Sequence, residues 1–164
     1  MPDGRIQLYF ANENPYRQSN EQEISMIESG DNGLTWSSEI TTVSFRAGFR
    51  DGMPVPATDG KDIYVAIEDN GNEQFKPFII KNSIKDNWKE PVLAHSPNRY
   101  SALKVPLPPP VYAGAPYLIR TSEGVYVLSF QTTENRTYNW ELSTMEVAIS
   151  DKPSDFISPS QPFS

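Results

Sequence analysis

Short apolar runs alternate with polar, Gly- and Asn-containing breaks along the chain. "RIQLYFANEN" is a β-rich run that closes on a polar turn, "QEISMIES" follows as a second strand, and after the break "GDNGLTWSS" comes "EITTVSF". Alternation over so few residues, bounded by turn formers, predicts strands joined by tight turns. The middle of the chain repeats the order as "GMPVPATDG", "KDIYVAIEDNG", "FKPFIIKN", a turn "NSIKDNW" and "EPVLAHS". A third pass runs "GAPYLIRTSEG", "VYVLSFQTTENR", "WELSTMEVAIS" and "DKPSDF", so that Trp36, Trp88 and Phe156 hold the same place in each.

Those aromatics recur at roughly 50 to 70 residues, a period that suits a four-stranded antiparallel propeller blade better than a solenoid turn. The pattern predicts an all-β single domain over 1–164, a β-propeller arc of about three four-stranded blades at 5–46, 50–96 and 111–164. The first blade lacks its innermost strand. Between the second and third lies 97–110, whose Pro106, Pro108, Pro109 and Pro110 cannot continue a sheet and are expected to form a rigid extended loop.

Composition narrows the chemistry. Of 164 residues, 37% are hydrophobic and 12% aromatic, which argues for a folded domain. Fourteen Lys and Arg against 21 Asp and Glu leave a net charge of −7 with no basic stripe, disfavouring nucleic acid and anionic membranes. No apolar stretch has the length of about 20 residues that a membrane span needs, and "MPDGRIQLYF" lacks the features of a signal peptide. With no Cys, thiolate sites are excluded, and a single His, His95, disfavours a His-based zinc site or a Ser-His-Asp triad, so chemistry is expected to rest on carboxylates, Tyr, Arg and Lys. No metal and no cofactor is expected.

Residues Ser29-Gly30-Asp31-Asn32-Gly33-Leu34-Thr35-Trp36 match the Asp-box pattern Ser-x-Asp-x-Gly-x-Thr-Trp at every specified position. The match resembles the blades of sialidase-like propellers, where the box is a hairpin between the third and fourth strands. Asp31 can accept bonds from the turn's own backbone, Gly33 can take a positive φ, and Trp36 can pack beneath. The regular acidic spacing of a calcium loop is absent, so Ser29, Asp31, Gly33, Thr35 and Trp36 are read as structural. The counterparts "NSIKDNW" and "SDKPSDF" are degenerate.

Ligands of a propeller sit at the mouth formed by strand ends on one face. The ends "YFANEN", "VAIEDN" and "SFQTTEN" put Glu13, Glu68 and Glu134 at matching places in the three passes. Two carboxylates flanking a sugar are the minimum equipment for glycoside hydrolysis. Arg50 and Asp51 precede an inner strand, Asp69 follows Glu68, Arg136 follows Glu134, and Tyr16, Tyr100, Tyr112 and Tyr138 lie in loops, a set suited to binding sugar hydroxyls.

"FRDGMPVP", "VAIEDNG", "AGAPYL" and "VLSFQTTENR" together resemble the glycoside hydrolase family 93 exo-arabinanases over most of the chain. The resemblance implies half of a six-bladed ring and retaining, exo-acting hydrolysis of α-L-arabinan or a related glycan. It implies Glu68 as acid/base and Glu134 as nucleophile, with Glu13, Arg50, Asp51, Asp69 and Arg136 as substrate contacts, and an extracellular or periplasmic location. The family tyrosine that assists the nucleophile falls past this chain's last residue, and the chain is expected to be partial, completed by self-association or by a missing half-propeller. Two alternatives stand: a non-catalytic carbohydrate-binding or interaction propeller, and a sialidase using Arg50, Arg120 and Arg136. "Asn135-Arg136-Thr137" also fits a glycosylation sequon.

Overall fold

The computed structural model describes residues 1, 3–136, 139–157 and 159–162. The chain is nearly all β, in three sheets, none closed on itself. Sheet I has the order β1 (Ile6–Asn12), β2 (Glu23–Ser29), β3 (Thr41–Phe45) and β7 (Val92–Leu93). Sheet II has β4 (Asp51–Thr58), β5 (Asp62–Asn72), β6 (Gln74–Ser83) and β8 (Arg99–Ser101), and sheet III has β11 (Thr144–Ser150), β10 (Tyr126–Thr132) and β9 (Ala113–Arg120).

The sheets pack face to face with sheet II in the middle. Alternate residues of β5 therefore bury on both sides: Ile63, Val65 and Ile67 pack with Ile24, Met26 and Val43 of sheet I. Tyr64 and Ala66 pack with Leu118, Leu128 and Phe130 of sheet III. A strand covered on both faces reads as an unbroken apolar run, as "DIYVAI" does. The Val, Leu, Ile, Met and Phe side chains among these each contribute on the order of 1.5–3 kcal/mol when fully buried.

The octapeptide forms the connection between β2 and β3. Thr35 donates its amide to Asp31 Oδ1 at 2.8 Å and its hydroxyl to Oδ2 at 2.6 Å, while Ser29 Oγ donates to Oδ1 at 2.8 Å and accepts the Gly33 amide at 2.8 Å. These donors, the Thr35 hydroxyl first, hold the Asp31 carboxyl down at about 2. Asn32 and Gly33 turn the chain at φ 59° and 86°. The Trp36 ring lies over Gly33.

After the corresponding turn in sheet II the chain does not return directly to its own sheet. Trp88 enters the core between sheets I and II, β7 runs parallel to β3 (Ser44 opposite Val92), and only then does β8 pair antiparallel with β6. Sheet III repeats the excursion: Phe156 bridges in parallel to Leu103, and Ser160 comes back to pair with Val147. Two placements thus differ from the periodicity. Val92–Leu93, read with the second pass, joins the first sheet, and Arg99–Ser101, inside the stretch read as a loop, is the outer strand of sheet II. Both strands are two or three residues long, too short to carry a periodic signal.

Candidate active site

Inner strands β4 and β9 open on the same tripeptide, Gly52-Met53-Pro54 and Gly114-Ala115-Pro116. Both strands lie at a sheet edge, where a proline costs no ladder bond. Each carries a bulge there, and the middle residue takes a positive φ, 51° at Met53 and 48° at Ala115. That conformation is strained for a side-chain-bearing residue before proline. In β9 it turns the Ala115 amide toward sheet II, where it donates to Glu68 Oε2 at 2.9 Å.

A side chain on either flank would crowd this carboxylate. A Cβ at Gly114 would stand 2.6 Å from Glu68 Oε2 and 2.3 Å from the Tyr112 hydroxyl; one at Gly52 would stand 2.9 Å from Glu68 Oε1 and 3.1 Å from Gln22 Nε2. Glu68 is half-buried, and burial pushes its carboxyl above the usual 4.5 against the opposing pull of the Ala115 amide and the Arg50 charge. Arg50 is tied to Glu13 and Gln22 and reaches the Asn20 carbonyl at 3.2 Å. Burial and then the Glu68 charge push the Tyr112 phenol up, and its ring meets Phe75 edge-on at 6.5 Å.

Tyr112 also connects Glu68 to the segment carrying Glu134. Its amide donates to Thr133 Oγ1 at 3.0 Å and its carbonyl accepts the Thr133 amide at 3.0 Å. Glu134, half-buried just past β10, donates its amide to Thr132 Oγ1 at 3.0 Å. Strand register sets Gln131 opposite Gly114, the station that Glu68 holds opposite Gly52, so Glu134 sits three residues farther toward the rim. Its neighbour Glu146 gave no sequence signal: a buried residue on β11, its carboxyl is pushed up first by burial and then by the Glu134 charge.

The other candidates divide. Glu13 is exposed and Arg50 is half-buried, joined to one another near Glu68. Asp51 and Asp69 are completely buried beneath them, Asp51 bonded to Arg99 and to Ser44 Oγ at 2.7 Å, Asp69 to Arg99 at 2.7 Å and to Arg46 at 3.0 Å. Burial pushes the Asp51 carboxyl up while Arg99 and Ser44 pull it down. Arg136 is exposed, its amide on the Thr133 carbonyl at 3.0 Å, and Thr137 and Tyr138 lie outside the described residues. Tyr16 stacks on Phe45 at 4.9 Å, Tyr100 is half-buried against the core between sheets II and III, and His95 is exposed. The recurring Gly-x-Pro was the legible sign of the Ala115 contact.

A cleft of about 780 Å³ beside Phe45, Phe49, Leu93 and His95 holds no carboxylate and lies away from Glu68. The half-buried Glu68 lies instead at the junction of sheets II and III, on the Ala115 amide. Among the described residues no group of three or more His or acidic side chains converges to hold a metal, and no helix is long and apolar enough to cross a membrane.

No family model and no curated protein sequence matches the chain. Solved structures do. The family 93 α-L-arabinofuranosidase of Fusarium graminearum, in complex with arabinobiose, matches at TM-score 0.66 and 13% identity, over 96% of this chain and 44% of its own. The α-L-arabinanase of Penicillium chrysogenum, also with arabinobiose, matches at 0.60 and 17%, over 85% and 39%. A family 25 polysaccharide lyase, an ulvan lyase, matches at 0.65 and 12%, over 98% and 42%. The chain thus spans about two fifths of the length of these neighbours and shares the fold of carbohydrate-active enzymes.

Proposed function

We propose that the three sheets are blades of a sialidase-like propeller and that the chain carries the catalytic carboxylates of a retaining glycoside hydrolase. Its substrate class is α-L-arabinan or a related glycan, attacked from a chain end, and its place of action is outside the cytoplasm. The observation that carries the reading is the setting of Glu68, a half-buried carboxyl with one oxygen on a backbone amide of the next sheet and glycines on both sides. The arabinobiose complexes of the two fold neighbours support the sugar class.

Glu68, whose burial favours the protonated form, gives its proton to the glycosidic oxygen as that bond breaks. The Glu134 carboxylate attacks the anomeric carbon, and a water molecule, deprotonated by Glu68, then releases the sugar and restores both groups. Glu146 lies behind Glu134 as a positioning carboxyl. Glu13, Arg50 and Arg136 offer polar groups to sugar hydroxyls, whereas Asp51 and Asp69 act from below by holding the strands that carry Arg50 and Glu68. The sialidase reading loses an arginine: Arg120 ends β9 some 15–20 Å along the strand from Ala115 and packs over the Tyr126 ring at 5.8 Å.

The test is sugar release from α-1,5-linked arabino-oligosaccharides. Glu68→Gln and Glu134→Gln each reduce it by about 10²–10⁴-fold with an unchanged circular dichroism spectrum. On an aryl arabinoside, whose leaving group needs no proton, Glu68→Gln recovers and Glu134→Gln does not. Wild-type turnover falls as rising pH strips Glu68 of its proton, above its ordinary 4.5. Unaltered rates in both variants would refute the hydrolase and favour a binding propeller.

A further inference from the structure

In sheets II and III the turn that follows the third strand plants an aromatic pin in the preceding sheet. Trp88, 1% exposed, sits among Ile24, Met26 and Val43 of sheet I and donates Nε1–H to the Tyr9 hydroxyl at 2.9 Å. Phe156, also 1% exposed, takes the same role on sheet II, its amide on the Ala102 carbonyl at 3.1 Å and its carbonyl receiving the Lys104 amide at 3.0 Å. Trp36 is the third pin, at the end of the most regular of the three turns, and it remains 39% exposed. Around it Leu34, Ile40 and the outward residues Ile6 and Leu8 of β1 are exposed as well.

The opposite end of the arc offers the seat that this pin lacks. Register aligns Ile119, Val127 and Ile149 in one row across β9, β10 and β11, and Tyr117, Ser129 and Val147 in the next. Leu118, Leu128 and Phe130, on the other face, fill the core with sheet II, so these rows point away from it. Tyr117 is 58% and Ile149 61% exposed. A sheet apolar on both faces is built to be covered on both.

We infer that the uncovered face of sheet III receives Trp36 and the outer face of sheet I of a second copy of this chain, and that the contact is made twice, closing two chains head to tail. Both halves of the contact are on this chain, one at each end, and its form is the one already repeated at Trp88 and Phe156. A contact between unlike surfaces closes only if a second identical contact completes the ring, which a two-fold axis supplies. This inference does not depend on the hydrolase reading.

Sedimentation velocity tests it. The wild-type chain is expected at twice its 18.5 kDa. Trp36→Ala, at the sheet I end, and Ile119→Asp, at the sheet III end, both alter exposed side chains and each weakens the dimer at least tenfold, with circular dichroism reporting an intact fold. An equimolar mixture of the two variants regains one intact contact and dimerises more than either alone. The inference is overturned by a monomeric wild type at high concentration, by a ladder of species beyond the dimer, or by a response to only one variant, which is the mark of a self-complementary contact.

Discussion

At the scale of single residues, the site is made by what two glycines omit. Gly114 leaves the space that the Tyr112 hydroxyl and Glu68 Oε2 share, and the Ala115 amide can hold Glu68 only while that space is open. Gly114→Ala is expected to push Glu68 off the amide and lower kcat/KM at least tenfold, at a stability cost of about 1–3 kcal/mol for the overpacking. The check is steady-state kinetics beside a thermal melt; full activity would show that the amide does not position the carboxyl. Asp31 is the contrasting carboxylate. Its two oxygens accept from Thr35 and Ser29 within its own turn, so it shapes the loop.

At the scale of elements, sheet II is locked by charge as well as by packing, and Arg46, just past β3, ties sheet I to it through Asp69. Arg99 on β8 reaches between Asp51 at the start of β4 and Asp69 on β5, all three out of solvent. Removing the one cation that touches both leaves Asp51 uncompensated and Asp69 with Arg46 alone, and the loss of a partner from such a group costs about 3–5 kcal/mol. Arg99→Met should therefore destabilise the fold by about that amount in urea titration. It should also shift Arg50, which is anchored next to Asp51. Stability equal to wild type would mean that Arg46 alone neutralises the pair.

At the scale of the whole molecule, three sheets hold together through two cores and two aromatic pins. Trp88→Ala opens a large cavity between sheets I and II and removes the donor to the Tyr9 hydroxyl. A cost of about 3–5 kcal/mol is expected, measured by denaturant unfolding. The equivalent change at Trp36 is predicted to act on association instead of on folding, because the surface it contacts belongs to another chain. The candidate carboxylates and the open faces lie apart: Glu68 sits at the junction of sheets II and III, and the open faces lie on sheets I and III.

The amino-acid sequence by itself determined the all-β class, the threefold recurrence and the turn at residues 29–36, because each is encoded in neighbouring residues: alternation, turn formers and a local hydrogen-bonding side chain. It also placed Glu13 and Arg50 near Glu68. Tertiary structure decided the rest. Asp51 and Asp69 look like ready ligands until Arg99, distant in sequence, is seen to engage both carboxylates. Glu134 follows the same strand-end pattern as Glu68, but a bulge in each inner strand resets the register and puts Gln131 at the matching station. Glu146 becomes a neighbour of Glu134 only when β11 pairs with β10. Trp36 reads the same as Trp88 along the chain, and only the packing of sheets separates a pin that is seated from one that is not, because burial is a property of what lies opposite and never of the residue alone.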